Sequence, residues 1–204
     1  VSLLPSAGII YNILQDTDYP FNLRANYSRS VARPSIRELS ETIVYDYEVR
    51  GYVFGDANLK PVDVNNYDLR LERYFKSGNN ASVSLFYKDF NNHIELISTQ
   101  QGYSWQNVEN SYVYGIEMEG VVNVWKNLNL QANLTLVKSE TEYVKKILTI
   151  IDGEKDYIPQ DTVKRTMFGQ APYVVNVIAE YKFDSLGLAI SASYNIQGNR
   201  LVIT

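Results

Sequence analysis

The stretch that decides the fold is Leu128-Asn129-Leu130-Gln131-Ala132-Asn133-Leu134-Thr135-Leu136, in which apolar and polar residues alternate without a break. Successive side chains of a β-strand point to opposite faces, so this stretch has one apolar and one polar face. Similar alternation occurs in 67–74, 173–182 and 187–195. A half-buried sheet of a soluble protein would look alike strand by strand. Segments of about 9–11 residues with a polar second face are, however, typical of strands that cross a bilayer around a wet lumen.

Eight such segments follow one another, and the connections between them alternate between short and long. The segments are 7–14, 21–30, 67–76, 81–91, 112–124, 128–138, 173–183 and 187–197. Short links join them in pairs, and the long excursions 31–66, 92–111 and 139–172 separate the pairs. Short turns at one rim and long loops at the other are typical of outer-membrane barrels. The sequence therefore predicts an all-β, antiparallel up-and-down transmembrane β-barrel with short periplasmic turns and long extracellular loops.

Composition excludes several classes of function. The 204 residues contain no cysteine, which excludes disulfides and thiolate chemistry, and the net charge of −4 gives no broad basic surface for nucleic acid. No phosphate-binding glycine motif is present. Several of the 17 tyrosines lie near the ends of the predicted strands, where amphipathic rings would form girdles at the membrane interfaces. Tyrosine is also simply favoured in strands, so this count alone does not decide between the two explanations.

Residues for catalysis or metal binding are nearly absent. His93 is the only histidine, and alone it forms no ordinary zinc site. A hydrolase would need a serine and an acid beside it, whereas the simpler interpretation is a polar residue at the base of a loop. The acidic run 152–156 does not match a calcium loop, because the turn glycine at the sixth position and the bidentate glutamate at the twelfth position of such a loop are missing. Glu117 and Glu119 share one strand face, which we expect to point into the lumen. We therefore predict no enzyme, no catalytic residue, no cofactor and no metal site.

The long excursions carry aromatic residues suited to a flat ligand. Aromatic faces could contact a sugar ring or a flat chelate. The same residues could instead pack the loops against one another. The candidate contacts are Tyr45, Tyr47, Tyr52, Tyr103, Trp105 and Tyr157.

Several motifs resemble the barrel of TonB-dependent outer-membrane receptors. The run 21–34 followed by Arg37-Glu38-Leu39 is similar to this family, and so is 55–61, where Asp56 replaces the usual asparagine of the family's G-N-x-x-L-K-P stretch. Matches continue in the same order through 84–95, Asn107, 114–119 and 169–176. The matching positions that we expect to be structural are Arg33, Pro34, Glu38, Leu39, Asn58, Leu59, Pro61, Tyr67, Phe86, Tyr87, Gly115 and Glu117.

The resemblance implies a location, a role and partners. Family barrels have about 22 strands and a plugged lumen, so we expect residues 1–204 to be a part of such a barrel, with the plug domain absent from this chain. The family takes up siderophores, haem, cobalamin or glycans across the outer membrane of Gram-negative bacteria. The implied partners are outer-membrane lipid, the receptor's own plug, the TonB–ExbB–ExbD complex that acts through the plug, and a small-molecule or glycan ligand, but no nucleic acid.

Three alternatives make distinct predictions. A small self-closed eight-stranded barrel with a structural or adhesion role requires 7–14 to pair with 187–197. A soluble β-sandwich that binds carbohydrate requires a second sheet over the Leu128–Leu136 face. A barrel enzyme requires a serine next to His93.

Overall fold

The structure is a computed structural model that describes residues 3–14, 19–99, 101–151 and 154–202. These residues form one sheet with a short helix, α1 (Ile36–Leu39), and a 3-10 turn at Lys76–Gly78. The strands are β1 (Ser6–Leu14), β2 (Phe21–Ala32), β3 (Val44–Asp46), β4 (Gly51–Phe54), β5 (Val62–Tyr74), β6 (Asn80–Thr99), β7 (Gly102–Trp125), β8 (Leu128–Ile151), β9 (Glu154–Arg165), β10 (Tyr173–Phe183) and β11 (Leu188–Gln197). Within this part of the chain, no helix has the length and apolarity to cross a membrane.

The main path of the sheet confirms the predicted fold class. Its strands are hydrogen-bonded in the order β1-β2-β5-β6-β7-β8-β10-β11, and every neighbouring pair on this path is antiparallel. The eight predicted segments lie within these eight strands, apart from Phe75, Lys76 and Gly187, which lie just outside β5 and β11. Among the described strands, β1 pairs with β2 alone and β11 with β10 alone. The sheet is therefore an open part of a barrel, and the pairing that a self-closed barrel requires is not formed.

Two of the long excursions are not irregular loops, which corrects the prediction for 92–111 and most of 139–172. β6 and β7 remain paired up to Thr99 and Gly102, and β8 continues to Ile151 before β9 returns along it. Outside the lipid a strand needs no apolar face, so the alternation of apolar and polar residues ends there. The backbone hydrogen bonds between the strands do not depend on that alternation and continue. His93 consequently lies inside β6, not at the base of a loop. The link at 16–18 and residues 152–153 of the acidic run lie outside the described residues.

The register collects like residues into rows that cross the whole sheet, because directly paired residues share a face. One row is entirely apolar and contains Tyr11, Leu23, Leu71, Val83, Met118, Leu134, Val175 and Ile196. A row on the opposite face is entirely polar and contains Asn12, Asn22, Glu72, Ser82, Glu119, Asn133, Asn176 and Asn195. A wall of this kind fits lipid on one side and water on the other.

The apolar face is bounded by aromatic side chains at both ends. At the end of the long hairpins, Tyr27, Tyr67, Tyr87 and Tyr114 lie in one row, and Tyr112 stacks between two of them. We call these five residues the tyrosine belt. At the opposite end lie Tyr19, Phe75, Trp125, Tyr181 and Phe183. From Tyr67 to Phe75 the strand covers about 26 Å at ~3.3 Å per residue, or about 20 Å of height at the usual tilt of about 40°.

No second sheet covers the apolar face in the described part of the chain. Leu130 and Leu136 remain 36% and 42% exposed, whereas the sandwich alternative requires them to be covered. The buried core lies instead beyond the tyrosine belt. Val49, Val53 and Leu96 form its centre, and Tyr103, Trp105, Phe168 and Val202 pack around them. This outer core joins four separate segments of the chain into one body.

Candidate functional site: the inner face and the outer tyrosine hairpin

A chain of ion pairs crosses four strands on the polar face. Arg24 and Arg70 are direct neighbours in the register of β2 and β5, and Glu72 lies between them. Its carboxylate accepts hydrogen bonds from Arg24 Nε at 2.6 Å and from Arg70 Nε at 3.3 Å. Arg70 also contacts Glu119 on β7 at 2.8 Å. The charges compensate one another within the wall, which allows two arginines to sit side by side.

The polar face of β8, β10 and β11 carries a row of neutral amides by contrast, and the ion pair of Glu180 with Lys182, at 3.0 Å, lies closer to the turn between β10 and β11. Asn176 donates to Asn133 at 2.6 Å, and Asn195 donates to Asn176. Each amide has two donor hydrogens and two acceptor lone pairs, so one bond on each side leaves further hydrogen-bonding capacity toward the lumen. Glu117 also lies on this polar face, paired with Ser84 and Thr135.

The segment between β2 and β5 folds around the sequence motifs at its two ends. Ser35, directly after Arg33 and Pro34, caps α1 in a capping box with Glu38, and the Leu39 amide donates to the Ser35 carbonyl at 3.1 Å. The second motif is tied to this helix, because Gly55 N–H donates to the Ser40 carbonyl at 2.8 Å. A Cβ on Gly55 would come within 2.2 Å of the Glu38 carbonyl oxygen, so the close approach requires glycine.

Asn107 connects this segment to the β6–β7 hairpin. Its side chain accepts from Lys60 N–H at 2.7 Å and donates to the carbonyls of Lys60 and Asn92 at 3.0 and 2.7 Å. Asp56 accepts from both the backbone and the side chain of Asn58, and Leu59 is buried. Pro61 follows as the last residue before β5.

The remaining motif positions lie in the wall itself. Tyr67 and Tyr87 belong to the tyrosine belt. Phe86 lies over Gly115 on the polar face. A Cβ on Gly115 would come within 2.6 Å of the Phe86 ring and 2.3 Å of the Leu136 carbonyl oxygen. These contacts place most of the quoted motif positions in the packing of the wall or of its outer segment.

Three of the six candidate ligand contacts form one exposed group. β3 and β4 pair as a hairpin, which we call the tyrosine hairpin, residues 44–53. Tyr45 contacts Tyr47 and Tyr52 in edge-on geometry, with ring centroids 5.2 and 5.5 Å apart. Tyr47 is 86% exposed, whereas Val49 and Val53 on the underside are buried in the outer core. The hairpin therefore presents tyrosines outward from a packed base.

The other three candidates are placed differently. Tyr103 and Trp105 pack against the outer core beneath the hairpin, and the ring of Tyr103 lies against Gly51. Their contacts fit the alternative that these aromatics pack the loops together. Tyr157 belongs to β9, where it pairs with Leu148, and its side chain lies outside the described part of the structure.

A buried polar cluster at the base of the outer hairpins was not anticipated from the sequence. Glu95, with its side chain 2% exposed, contacts Arg165 at 2.9 Å and accepts from the Phe168 amide at 3.2 Å. Burial raises the pKa of Glu95 above its usual value, while Arg165 and the Phe168 amide oppose that shift. The sequence does contain a signal, since Glu95 is the single charge within Ile94-Glu95-Leu96-Ile97.

His93 does lie next to a serine, as the enzyme alternative requires, but the arrangement does not fit a catalytic triad. Both Ser111 Oγ, at 3.1 Å, and Glu95 Oε1, at 3.6 Å, approach the same ring nitrogen, Nδ1. A triad needs the nucleophile and the acid on opposite nitrogens. Ser111 is 1% exposed and bonded to Thr141 at 2.8 Å. Burial and, to a smaller extent, the positive charge of the nearby Arg165 together lower the pKa of His93 to about 4.

Metal-binding geometry is not found among the residues that the structure describes, where no group of three or more acidic or histidine side chains converges. The described surfaces offer hydrogen bonds along the polar face and aromatic contacts on the tyrosine hairpin.

Comparison with known proteins places the chain in a family. The family model described as "TonB dependent receptor-like, beta-barrel" matches residues 2–202. A search of curated proteins finds no match. Among solved structures, the siderophore receptor PirA of Pseudomonas aeruginosa is similar at 20% identity and a TM-score of 0.53, covering 89% of this chain and 33% of that one. The alcaligin outer-membrane receptor FauA of Bordetella pertussis is similar at 18% identity and a TM-score of 0.54, covering 96% and 29%. The chain thus spans about a third of these proteins.

Proposed function

Since the chain belongs to the TonB-dependent receptor-like β-barrel family, we propose that it forms part of the wall of an energised outer-membrane importer for a scarce nutrient. Proteins of this family are outer-membrane receptors and transporters, not enzymes. The nutrient that we propose is a ferric siderophore, because two structurally similar proteins are described as a siderophore receptor and an alcaligin receptor. Haem, cobalamin or a glycan is the alternative cargo.

One observation carries the proposal. The eight strands of the main path present one uninterrupted apolar row and one uninterrupted polar row on opposite faces. Lipid tolerates such a wall where the backbone groups of neighbouring strands pair with each other, and in a closed barrel the outer edges of β1 and β11 would pair with further strands. The polar face would then line a hydrated lumen and contact a plug domain, through which TonB with ExbB and ExbD would drive transport.

The tyrosine hairpin is the part of this chain that we assign to the ligand. It lies beyond the tyrosine belt, on the side of the long hairpins, which in this family faces the outside of the cell. Tyr45, Tyr47 and Tyr52 offer aromatic faces and hydroxyls on a packed base. Such rings bind flat or ring-shaped ligands at a low cost in side-chain entropy.

The test is uptake of labelled iron by a Gram-negative strain that lacks its own siderophore receptors and expresses the full-length gene containing this chain. Ferric enterobactin and ferric alcaligin are the probes, with haem and cobalamin as alternative cargoes. We expect uptake of at least one iron chelate that disappears when TonB is deleted or the proton-motive force is dissipated. Uptake of none of the four cargoes, or uptake that persists without TonB, would contradict the proposal.

The ligand surface is tested by substituting its tyrosines. Tyr45→Ala and Tyr52→Ala should raise the chelate concentration for half-maximal uptake about tenfold, as expected for losing an aromatic contact of ~1.4 kcal/mol. Tyr194→Ala is the matched control, because Tyr194 is similarly exposed but lies on the apolar face of β11. Equal effects of all three substitutions would remove the ligand role from the hairpin.

A further inference from the structure

The tyrosine hairpin approaches the β6–β7 hairpin unusually closely. Gly102 has a φ of +135°, and a Cβ there would come within 2.5 Å of the Tyr52 carbonyl oxygen. A Cβ on Gly51 would come within 2.5 Å of the Tyr103 ring. A backbone oxygen cannot move aside as the end of a side chain can, and φ values of this sign favour glycine. Glycine at position 102 therefore permits the parallel pairing of β4 with β7 at Val53 and Tyr103.

The underside of the hairpin rests on side chains that come from distant parts of the chain. Val49 and Val53 pack with Leu96 of β6, and Phe168 packs against the same cluster. The position of the hairpin consequently depends on where Leu96 and Phe168 are held.

The buried carboxylate of Glu95 holds both of them. It accepts from the Phe168 amide at 3.2 Å and pairs with Arg165 at 2.9 Å, and Arg165 in turn donates to the Leu96 carbonyl at 2.9 Å. Gly169, next in the chain, donates to the Leu201 carbonyl at 3.0 Å. The polar cluster thus fastens the segment after β9 to β6, directly beneath the tyrosine hairpin.

We propose that Glu95 and Gly102 are positioning residues for the ligand surface, and that they hold the tyrosine hairpin as a preformed wall that meets its ligand without loop closure. A wall that is ordered before binding avoids the entropy cost of ordering a loop on the ligand. The inference rests on the proposed function, since only that function makes the hairpin a ligand surface.

Hydrogen exchange of the full-length receptor in lipid nanodiscs, without ligand, tests the positioning role. In Glu95→Gln and in Gly102→Ala we expect the amides of 44–54 to exchange about tenfold faster, while those of 81–90 in the membrane wall are unchanged. Glu95→Asp keeps the carboxylate and should restore part of the protection. Glu180→Gln, on an exposed ion pair at the other end of the wall, and Gly120→Ala, where a Cβ meets nothing closer than 3.9 Å, are the controls.

Unchanged exchange of 44–54 in both variants overturns the proposal. An equal increase in 44–54 and 81–90 also overturns it, because Glu95 and Gly102 would then serve the whole fold. The two variants act through different contacts, so failure of one to insert leaves the other as the test. The uptake assay reports separately: faster exchange of 44–54 in a receptor that imports no chelate supports the positioning role and contradicts the proposed function.

Discussion

Neutralising Glu72 should destabilise the wall by removing the charge that holds two arginines together. Glu72→Gln keeps the shape of the side chain but leaves Arg24 and Arg70 as neighbours in the register without their shared carboxylate. A hydrogen bond to a charged group contributes about 1.5–3 kcal/mol, and the three that Asn22, Arg24 and Arg70 donate to this carboxylate are weakened here. The arginine side chains are 37% and 33% exposed, so water screens part of their repulsion. We expect a loss of about 2 kcal/mol in the free energy of unfolding.

Urea unfolding of the full-length receptor in lipid vesicles, followed by tryptophan fluorescence, measures this loss. Glu117→Gln is the matched control, because Glu117 lies on the same polar face as Glu72 but outside the chain of ion pairs described above. A double-mutant cycle of Arg24→Gln with Glu72→Gln should give a coupling energy of about 1 kcal/mol or more. The argument from charge compensation would be refuted if Glu72→Gln lowered the free energy of unfolding by less than about 0.5 kcal/mol, or if the coupling energy were below about 0.5 kcal/mol.

Three further predictions follow from single positions. Gly115→Ala places a Cβ 2.3 Å from a backbone oxygen and should lower the free energy of unfolding by about 3 kcal/mol or prevent insertion. The control Gly120→Ala, measured in the same urea assay, should change the free energy of unfolding little. Burial lowers the pKa of His93 to about 4, so the folded protein favours the neutral imidazole, and the stability that this gives above the ordinary pKa of about 6.5 is lost as the pH falls toward 4. The ring resonances of His93, assigned by comparison with His93→Asn, should therefore not titrate between pH 8 and 5. A titration midpoint near 6.5 would instead show that the ring is solvated. Asn107→Ala removes three hydrogen bonds, two of them to Lys60; it should speed hydrogen exchange at the start of β5, and unchanged exchange there would contradict the anchoring role.

The membrane-spanning part of the fold could be predicted because lipid imposes an alternation on the sequence. Each of Leu128, Leu130, Ala132, Leu134 and Leu136 must face the apolar side, and the intervening polar residues must not. Once the strands pass the tyrosine belt, this requirement ends. The sequence of 92–111 therefore no longer distinguishes a continued β-ladder from a loop, and the hairpin extensions were missed.

The candidate site was only partly predictable for a related reason. Tyr45 and Tyr103 look alike as aromatic residues in long excursions, yet one lies on the outer surface of a hairpin and the other packs beneath it. What separates them is the parallel contact of β4 with β7 and the ion pair between Glu95 and Arg165. Both join residues that are far apart in sequence, and the local pattern around either residue carries no information about its distant partner.

The tyrosine belt also has a mechanical consequence. Directly beyond the row of Tyr27, Tyr67, Tyr87 and Tyr114 on the same face, Tyr112 shares the next row with polar and charged residues: Arg29, Asn65, Asp89 and Glu140. A load that drew the wall toward the periplasm by one row would drag these groups into hydrocarbon and remove the phenol rings from the headgroup level. Both displacements cost free energy. The wall therefore resists vertical displacement in the membrane, which the proposed importer would need when its plug is pulled.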